Sequence, residues 1–140
     1  MQAKIAQTEK EMQDAFSIRM KVFVEEQNVP AEEELDEYDD TAVHVVLYDE
    51  EMPVGTGRIR EADGYGKLER ICILASCRGK GAGRMIMKEL EYTAAPNISR
   101  FKLNAQTQAV PFYEKLGYEV CSEEFLDAGI PHVTMIKKRT

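Results

Sequence analysis

Apolar residues recur along this chain with two different periods, and the switches between them mark out its elements. Gln2 to Ala6 alternates and predicts a short first strand. Thr8 followed by Glu11 has the residue types of a capping box, and Met12, Ala15, Phe16, Met20 and Phe23 then recur at helical spacing. One face of that helix is expected to pack on a sheet. The segment after Pro30 reads as a loop or second short helix. Val43 to Asp49 and Pro53 to Glu61 read as two strands joined around Glu50-Glu51, and Asp63-Gly64 turns the chain into a third, Lys67 to Leu74. After a glycine-rich stretch, Ala82, Ile86, Leu90 and Ala94 form an apolar stripe on a helix that ends before Pro96. Phe101 to Ala105 is the next strand, and Val110 to Leu116 a short helix with Gly117 as its C′ residue. Tyr118 to Ser122 and His132 to Lys137 close the chain as a strand pair. Periodicity alone yields an α/β or α+β chain with a single layer of sheet.

The 140 residues suit one domain, residues 1–140, with its own core and no need of disulfide or metal staples. No apolar run approaches the roughly 20 residues of a membrane span, and the N-terminus reads as polar and helical, not as a signal peptide. The formal net charge of −7 argues against a nucleic-acid partner. Much of it sits in Glu32, Glu33, Glu34, Asp36, Glu37, Asp39 and Asp40, which read as a solvated loop that aids solubility. Cys72, Cys77 and Cys121 lack metal-ligand spacing, so buried or incidental thiols in a reducing cytoplasm are expected and no metal site. Only His44 and His132 are available as imidazole partners for a catalytic thiol.

The chemistry concentrates in Arg78-Gly79-Lys80-Gly81-Ala82-Gly83-Arg84, between the third strand and a helical pattern from Met85 to Ala94. Glycines there let backbone approach a ligand closely and tolerate positive φ. The helix start offers N–H groups without intrahelical partners, and three cations surround them, which suits a phosphate-bearing ligand. The spacing is not that of a P-loop. Nor is it the dinucleotide fingerprint, because Arg84 stands where the third glycine belongs.

It does match Arg/Gln-x-x-Gly-x-Gly/Ala, read as Arg78-x-x-Gly81-x-Gly83, and so resembles the coenzyme A pyrophosphate loop of the GNAT superfamily of N-acetyltransferases. Leu103-Asn104-Ala105-Gln106 and Ala109-Val110-Pro111-Phe112-Tyr113-Glu114-Lys115-Leu116-Gly117-Tyr118 resemble the second half of the same signature. The stretch from Arg19 through Val22-Phe23-Val24-Glu25-Glu26-Gln27-Asn28-Val29-Pro30 and the tail Phe125 to His132 resemble the small bacterial YjcF/ElaA-type branch. The resemblance spans essentially the whole chain. It implies the GNAT acyl-CoA N-acyltransferase fold, an α/β (α+β) mixed sheet with helices on both faces. It also implies acetyl-CoA as co-substrate, direct attack of a primary amine on the thioester, and a homodimer as the common assembly.

Residue by residue, the resemblance places backbone groups of Ile71, Cys72 and Ile73 beside the pantetheine arm, with one N–H facing the thioester oxygen. It places Arg78, Gly79, Lys80, Gly81, Ala82, Gly83 and Arg84 on the pyrophosphate and Asn104 on the pantetheine amides. Tyr113 becomes the general acid for the leaving thiolate, against the alternative that Phe112-Tyr113 only packs a helix. Glu69 is the candidate base. Strand alternation sets it on one face with Ile71 and Ile73, and the competing reading is an ion pair with Arg70 or Arg58. Arg19, Phe23, Glu26, Gln27 and His132 fall where an acceptor site is built, and the acidic segment reads as either plain surface or a rim that attracts a cationic amine. Two other functions share these features: a non-catalytic acyl-CoA-binding module, and a relative that uses longer acyl chains.

Overall fold

The computed structural model describes residues Met1–Thr140. Eight strands form one sheet: β1 (Gln2–Ile5), β2 (Val43–Asp49), β3 (Met52–Ala62), β4 (Tyr65–Ile73), β5 (Arg100–Gln106), β6 (Glu119–Val120), β7 (Phe125–Asp127) and β8 (Ile130–Lys138). Their order is β1-β2-β3-β4-β5-β8-β6, with β7 paired to β8. Every pairing is antiparallel except β4 with β5. The longer helices are α1 (Glu9–Arg19) and α3 (Ala82–Thr93); α2 (Ala31–Glu34) and α4 (Val110–Lys115) are short. No helix is long and apolar enough to cross a membrane.

The local signals formed as their chemistry requires. Thr8 accepts from the Glu11 N–H and Glu11 reaches back to the Thr8 N–H, so both halves of the capping box are present. Gly117 takes φ +97° where α4 ends. On β3, Gly55 and Gly57 face α3 so closely that a Cβ on either would come within 2.9 Å of Ile86 or Leu90. The main core lies on that face, built from Val45, Leu47, Ile59, Leu68, Ile86, Leu90, Phe101, Leu103 and Met135 among others. A smaller cluster of Ile18, Val22 and Cys72 lies under α1 on the opposite face. Helices therefore cover both faces of a mixed sheet.

Four features depart from the sequence reading. The helix after Thr8 does not run on as an α-helix: Met20–Glu26 is π-helical, and the buried positions are Ala15, Ile18, Arg19 and Val22, not Met20 and Phe23. The tail segment Phe125–Asp127 pairs with β8 as an extra strand across a turn at Ala128-Gly129. The helix α3 opens at Ala82, so Gly83 and Arg84 lie inside it and Gly81, at φ +79°, is its N-cap.

The fourth is a bulge in β4. Arg58 pairs with Glu69 and Thr56 with Cys72, so β4 carries one residue more than β3 over this stretch. Arg70 absorbs it at φ +58°, a left-handed conformation that costs a non-glycine residue about 1–2 kcal/mol. The bulge inverts the alternation beyond Glu69. Ile71 and Ile73 join Leu68 on the α3 face, whereas Glu69 and Cys72 face α1, so the expected grouping of Glu69 with the two isoleucines does not hold.

Candidate active site

Parallel pairing of β4 with β5 is confined to Gly66–Leu68 against Phe101–Leu103, although β4 continues to Ile73 and β5 to Gln106. Beyond Leu68 the two strands diverge and leave β4 backbone groups without a neighbour on that side. A cavity of about 750 Å3 occupies the opening. One half is walled by Ile71, Ile73, Arg78, Gly79, Gly81, Ala82, Gly83, Arg84, Asn104, Phe112 and Tyr113, and the other by Val22, Phe23, Gln27, Val29, Glu34, Glu69, Arg70, Cys72, Asp127, Ile130 and His132. The glycine loop, the β4 backbone and Tyr113 thus meet around one space.

In the first half the residues present backbone and donors. Gly79 and Gly81 both have φ +79° with open space where a Cβ would stand, and no side chain caps the first turn of α3. Its leading N–H groups are free for an anion, and the geometry fits a phosphate-bearing ligand. Arg78 donates through Nε to the Ile73 carbonyl, 3.0 Å away, and grips Glu26 with its two terminal nitrogens. Asn104 accepts from the Thr134 hydroxyl at 2.8 Å, so its amide NH2 remains to donate. Lys80 is exposed and does not line the cavity.

Tyr113 is 8% exposed and its hydroxyl has no protein partner, yet it is not sealed off, because it lies on the cavity wall. Burial pushes its phenol well above the ordinary value, so it stays protonated at every working pH. Phe112 and Tyr118 flank its ring edge-on at 5.0 and 6.0 Å. Tyr118 is in turn tied to Glu91 of α3 at 2.7 Å, and Gly83 admits Phe112 so closely that a Cβ there would stand 2.9 Å from the ring. The Phe-Tyr and Gly-Tyr pairs therefore build one aromatic bracket around the phenol.

The acidic segment is neither a solvated loop nor an open rim. Glu34, Asp36 and Asp39 turn inward onto Arg19, Arg58 and Arg70, while Glu32, Glu33, Glu37 and Asp40 stay exposed. Arg19, expected in the acceptor site, is 1% exposed and absent from the cavity wall; it pins α2 and the following turn to α1 through Glu34 and Asp39. Asp39 is held at about 2, because hydrogen bonds from Arg19, the Asp36 N–H and Arg58 outweigh the larger opposing effect of burial. Glu26 likewise misses the cavity and sits on Arg78. Phe23, Gln27 and His132 do line it.

Glu69 reaches the cavity wall with both oxygens engaged. Oε1 accepts from Arg58 and Arg60 at 2.7–3.2 Å, and Oε2 accepts from Arg60 with Lys67 nearby. Burial alone raises its pKa, but the Arg60 hydrogen bond and the Arg58 charge prevail and hold the carboxyl below the usual range. The ion-pair reading stands, with Arg60 as the partner that sequence spacing missed. Cys72 is buried and its thiol is pushed far up, mainly by burial, so it is not a nucleophile.

Comparison with known proteins agrees with this geometry. Residues 5–139 match the acetyltransferase (GNAT) domain family. The chain is 62% identical over 139 residues to YjcF of Bacillus subtilis strain 168, an uncharacterized N-acetyltransferase, covering 98% of this chain and 99% of that one. Its fold superposes on the crystal structure of Escherichia coli ElaA with a TM-score of 0.85 at 24% identity, covering 97% and 98% of the two chains. It also superposes on an aminoglycoside 6′-N-acetyltransferase complexed with coenzyme A, with a TM-score of 0.72 at 14% identity and coverage of 99% and 97%. These last two likenesses speak for the fold. The family match over residues 5–139 and the 62% identity to YjcF identify the chain as a member of the GNAT acetyltransferase family and an acyltransferase enzyme, in agreement with the diverging β4 and β5, the glycine loop and the cavity between them.

Proposed function

We propose that this protein transfers an acetyl group from acetyl-CoA to a primary amine by direct attack on the thioester. The observation that carries the reading is the divergence of β4 from β5 after Leu68, which leaves a strand-shaped vacancy leading from the glycine loop to Tyr113. A pantetheine arm in that vacancy would pair with the β4 backbone at Ile71 to Ile73 as an added strand. Its pyrophosphate would meet the N–H groups of Gly81 to Arg84 and the cation of Arg78. The amide NH2 of Asn104 would donate to a pantetheine carbonyl.

Chemistry then follows from position. A β4 N–H facing the thioester oxygen stabilises the charge that develops as the amine attacks. The carbon–sulfur bond breaks, and the Tyr113 hydroxyl donates its proton to the leaving thiolate. The thiolate of a thiol with pKa near 8.5 is a weaker base in water than a phenolate, but a buried phenol beside a nascent thiolate still shares its proton across one hydrogen bond. Glu69 takes no part as a base, since its charge is already held by Arg58 and Arg60.

Calorimetric titration with acetyl-CoA, coenzyme A and NAD tests the co-substrate, with a thermal scan alongside, because a ligand of the native state raises the melting temperature. Binding of the two coenzyme A forms without NAD is expected. Failure of both forms to bind would reduce the glycine loop to a turn. Comparing acetyl-CoA with longer acyl-CoAs in thiol release then reads the acyl-chain preference.

A further inference from the structure

Most buried polar side chains of this protein are accounted for by one another: Arg19, Arg58, Asp39 and His44 form ion pairs and hydrogen bonds, and Thr56 donates to Val45. Two others, Glu34 and His132, line the cavity, and each keeps one acceptor atom unused. Glu34 is 2% exposed. Its Oε2 takes both Arg19, at 2.8 Å, and Arg70, at 3.2 Å. Its Oε1 has no donor in the protein and is not sealed from the cavity.

His132 is fixed in the complementary sense. Its Nδ1 lies 2.6 Å from the Ile130 carbonyl oxygen, which can only accept, so Nδ1 carries the hydrogen. In the neutral ring Nε2 then holds the free lone pair. Phe125 of β7 stacks on the ring at 6.0 Å and keeps its orientation. The remaining charges on the wall are otherwise placed. Glu69 is held by Arg58, Arg60 and Lys67; Arg70 lies against Glu34 and Asp36; Arg78 and Arg84 belong to the glycine loop; Lys115 on α4 and Asp127 at the hairpin tip are exposed.

We propose that Glu34 and His132 form the amine subsite of the cavity, in which Glu34 Oε1 holds the acceptor as its ammonium ion and His132 Nε2 removes its proton. The inference rests on the acetyl-transfer reading above. Burial drives the Glu34 carboxyl above its usual range and outweighs Arg19 and Arg70 beside it, cations that also serve Asp39 and Asp36. The carboxylate therefore still lacks counter-charge, which a bound ammonium supplies. The step balances. His132 takes one proton, and the free amine forms the carbon–nitrogen bond as the carbon–sulfur bond breaks. Tyr113 gives its proton to the thiolate and recovers one from the attacking nitrogen. The imidazolium then releases its proton to solvent. The favoured acceptor is a primary amine that arrives charged.

The test measures thiol release at saturating acetyl-CoA, with n-butylamine and benzylamine as probes, for the wild type, His132→Gln, Glu34→Gln and, as an exposed control, Glu32→Gln. His132→Gln is expected to lower kcat about 100-fold or more, with acetyl-CoA affinity retained. Glu34→Gln, which keeps an oxygen for Arg19, is expected to raise the amine KM about tenfold or more, and the effect should exceed that on kcat. Nitrogen NMR of His132 in the wild type needs no variant and should find the hydrogen on Nδ1. Wild-type kinetics in both variants, or a hydrogen on Nε2, overturns the subsite. So does a wild type that binds acetyl-CoA but releases no thiol with either amine, which leaves the coenzyme site standing. Absence of acetyl-CoA binding instead overturns the reading beneath it.

Discussion

Arg78, the first residue of the glycine loop, holds both carboxylate oxygens of Glu26, at 2.7 and 2.5 Å. The pair links the end of the π-helical segment to the anion-binding end of α3, and it places a carboxylate where a pyrophosphate would seek its cation. Glu26 is stabilised in its charged form chiefly by that hydrogen bond, which holds its pKa down. On the proposed reading, a coenzyme would have to compete with Glu26 for Arg78.

Replacing Glu26 with Gln is accordingly expected to tighten coenzyme A binding. Both side chains are exposed, and such pairs contribute about 0.2–1 kcal/mol, so the gain should be no more than about fivefold and should shrink with added salt. Arg78→Ala is expected to weaken binding by more than that. Calorimetry across salt concentrations reads both. Weaker binding by Glu26→Gln would mean that Glu26 orients Arg78 for the ligand and does not compete with it.

Tyr113→Phe removes one oxygen from the aromatic bracket and leaves Phe112 and Tyr118 in place. Turnover should drop by about 100-fold or more, with little change in coenzyme affinity or melting temperature. Single-turnover thiol release at saturating amine is the measurement. An unchanged rate would assign Tyr113 to packing alone.

Glu69→Gln separates a base from a structural ion pair. The amide withdraws one of three carboxylates from Arg58, which is 1% exposed and keeps Asp36 and Asp39, so a loss of about 1–3 kcal/mol is expected. Chemical denaturation should record that loss, whereas kcat of the folded variant should stay within about threefold of the wild type, since no proton transfer is removed. A large fall in kcat with intact stability would return Glu69 to the role of base.

The same residue shows where sequence reasoning runs out. The main strands and helices, the Thr8–Glu11 capping box and the glycine loop were legible because each is a local signal carried by a few adjacent residues, whereas several element ends were not. The β4 bulge was not. Arg70 carries no mark of positive φ, so alternation continued across it puts Glu69 on the wrong face. The seven clustered acids look alike in sequence, and only tertiary packing separates buried Glu34 and Asp39 from exposed Glu32 and Asp40. Arg19 stands beside Ile18 and Val22 at a position that periodicity reserves for apolar residues, and its partners lie 15 and 20 residues away. The β7 strand has too few residues to signal itself without β8.

Stability should therefore depend on pH chiefly through the inward-facing acids. Asp39, near 3.9 in the unfolded chain and about 2 when folded, has a depressed pKa, so its contribution is present above pH 4 and lost as pH falls towards 2. At about 1.4 kcal/mol per pKa unit this amounts to about 3 kcal/mol. Asp36 and Glu69 shift in the same direction and add to the loss on acidification. Glu34 has the opposite sign: burial raises its pKa, so its contribution is complete below its unfolded value and fades as pH rises through the folded one. Urea unfolding at a series of pH values should show free energy falling steeply between about pH 4 and pH 2. The slope should diminish in Asp39→Asn, a variant already weakened by leaving Arg19 and Arg58 short of counter-charge. A wild-type curve that stays flat over that interval would mean that Asp39 does not hold its proton affinity down, and that the Arg19–Asp39–Arg58 bridge is looser than the 2.6 and 2.7 Å contacts require.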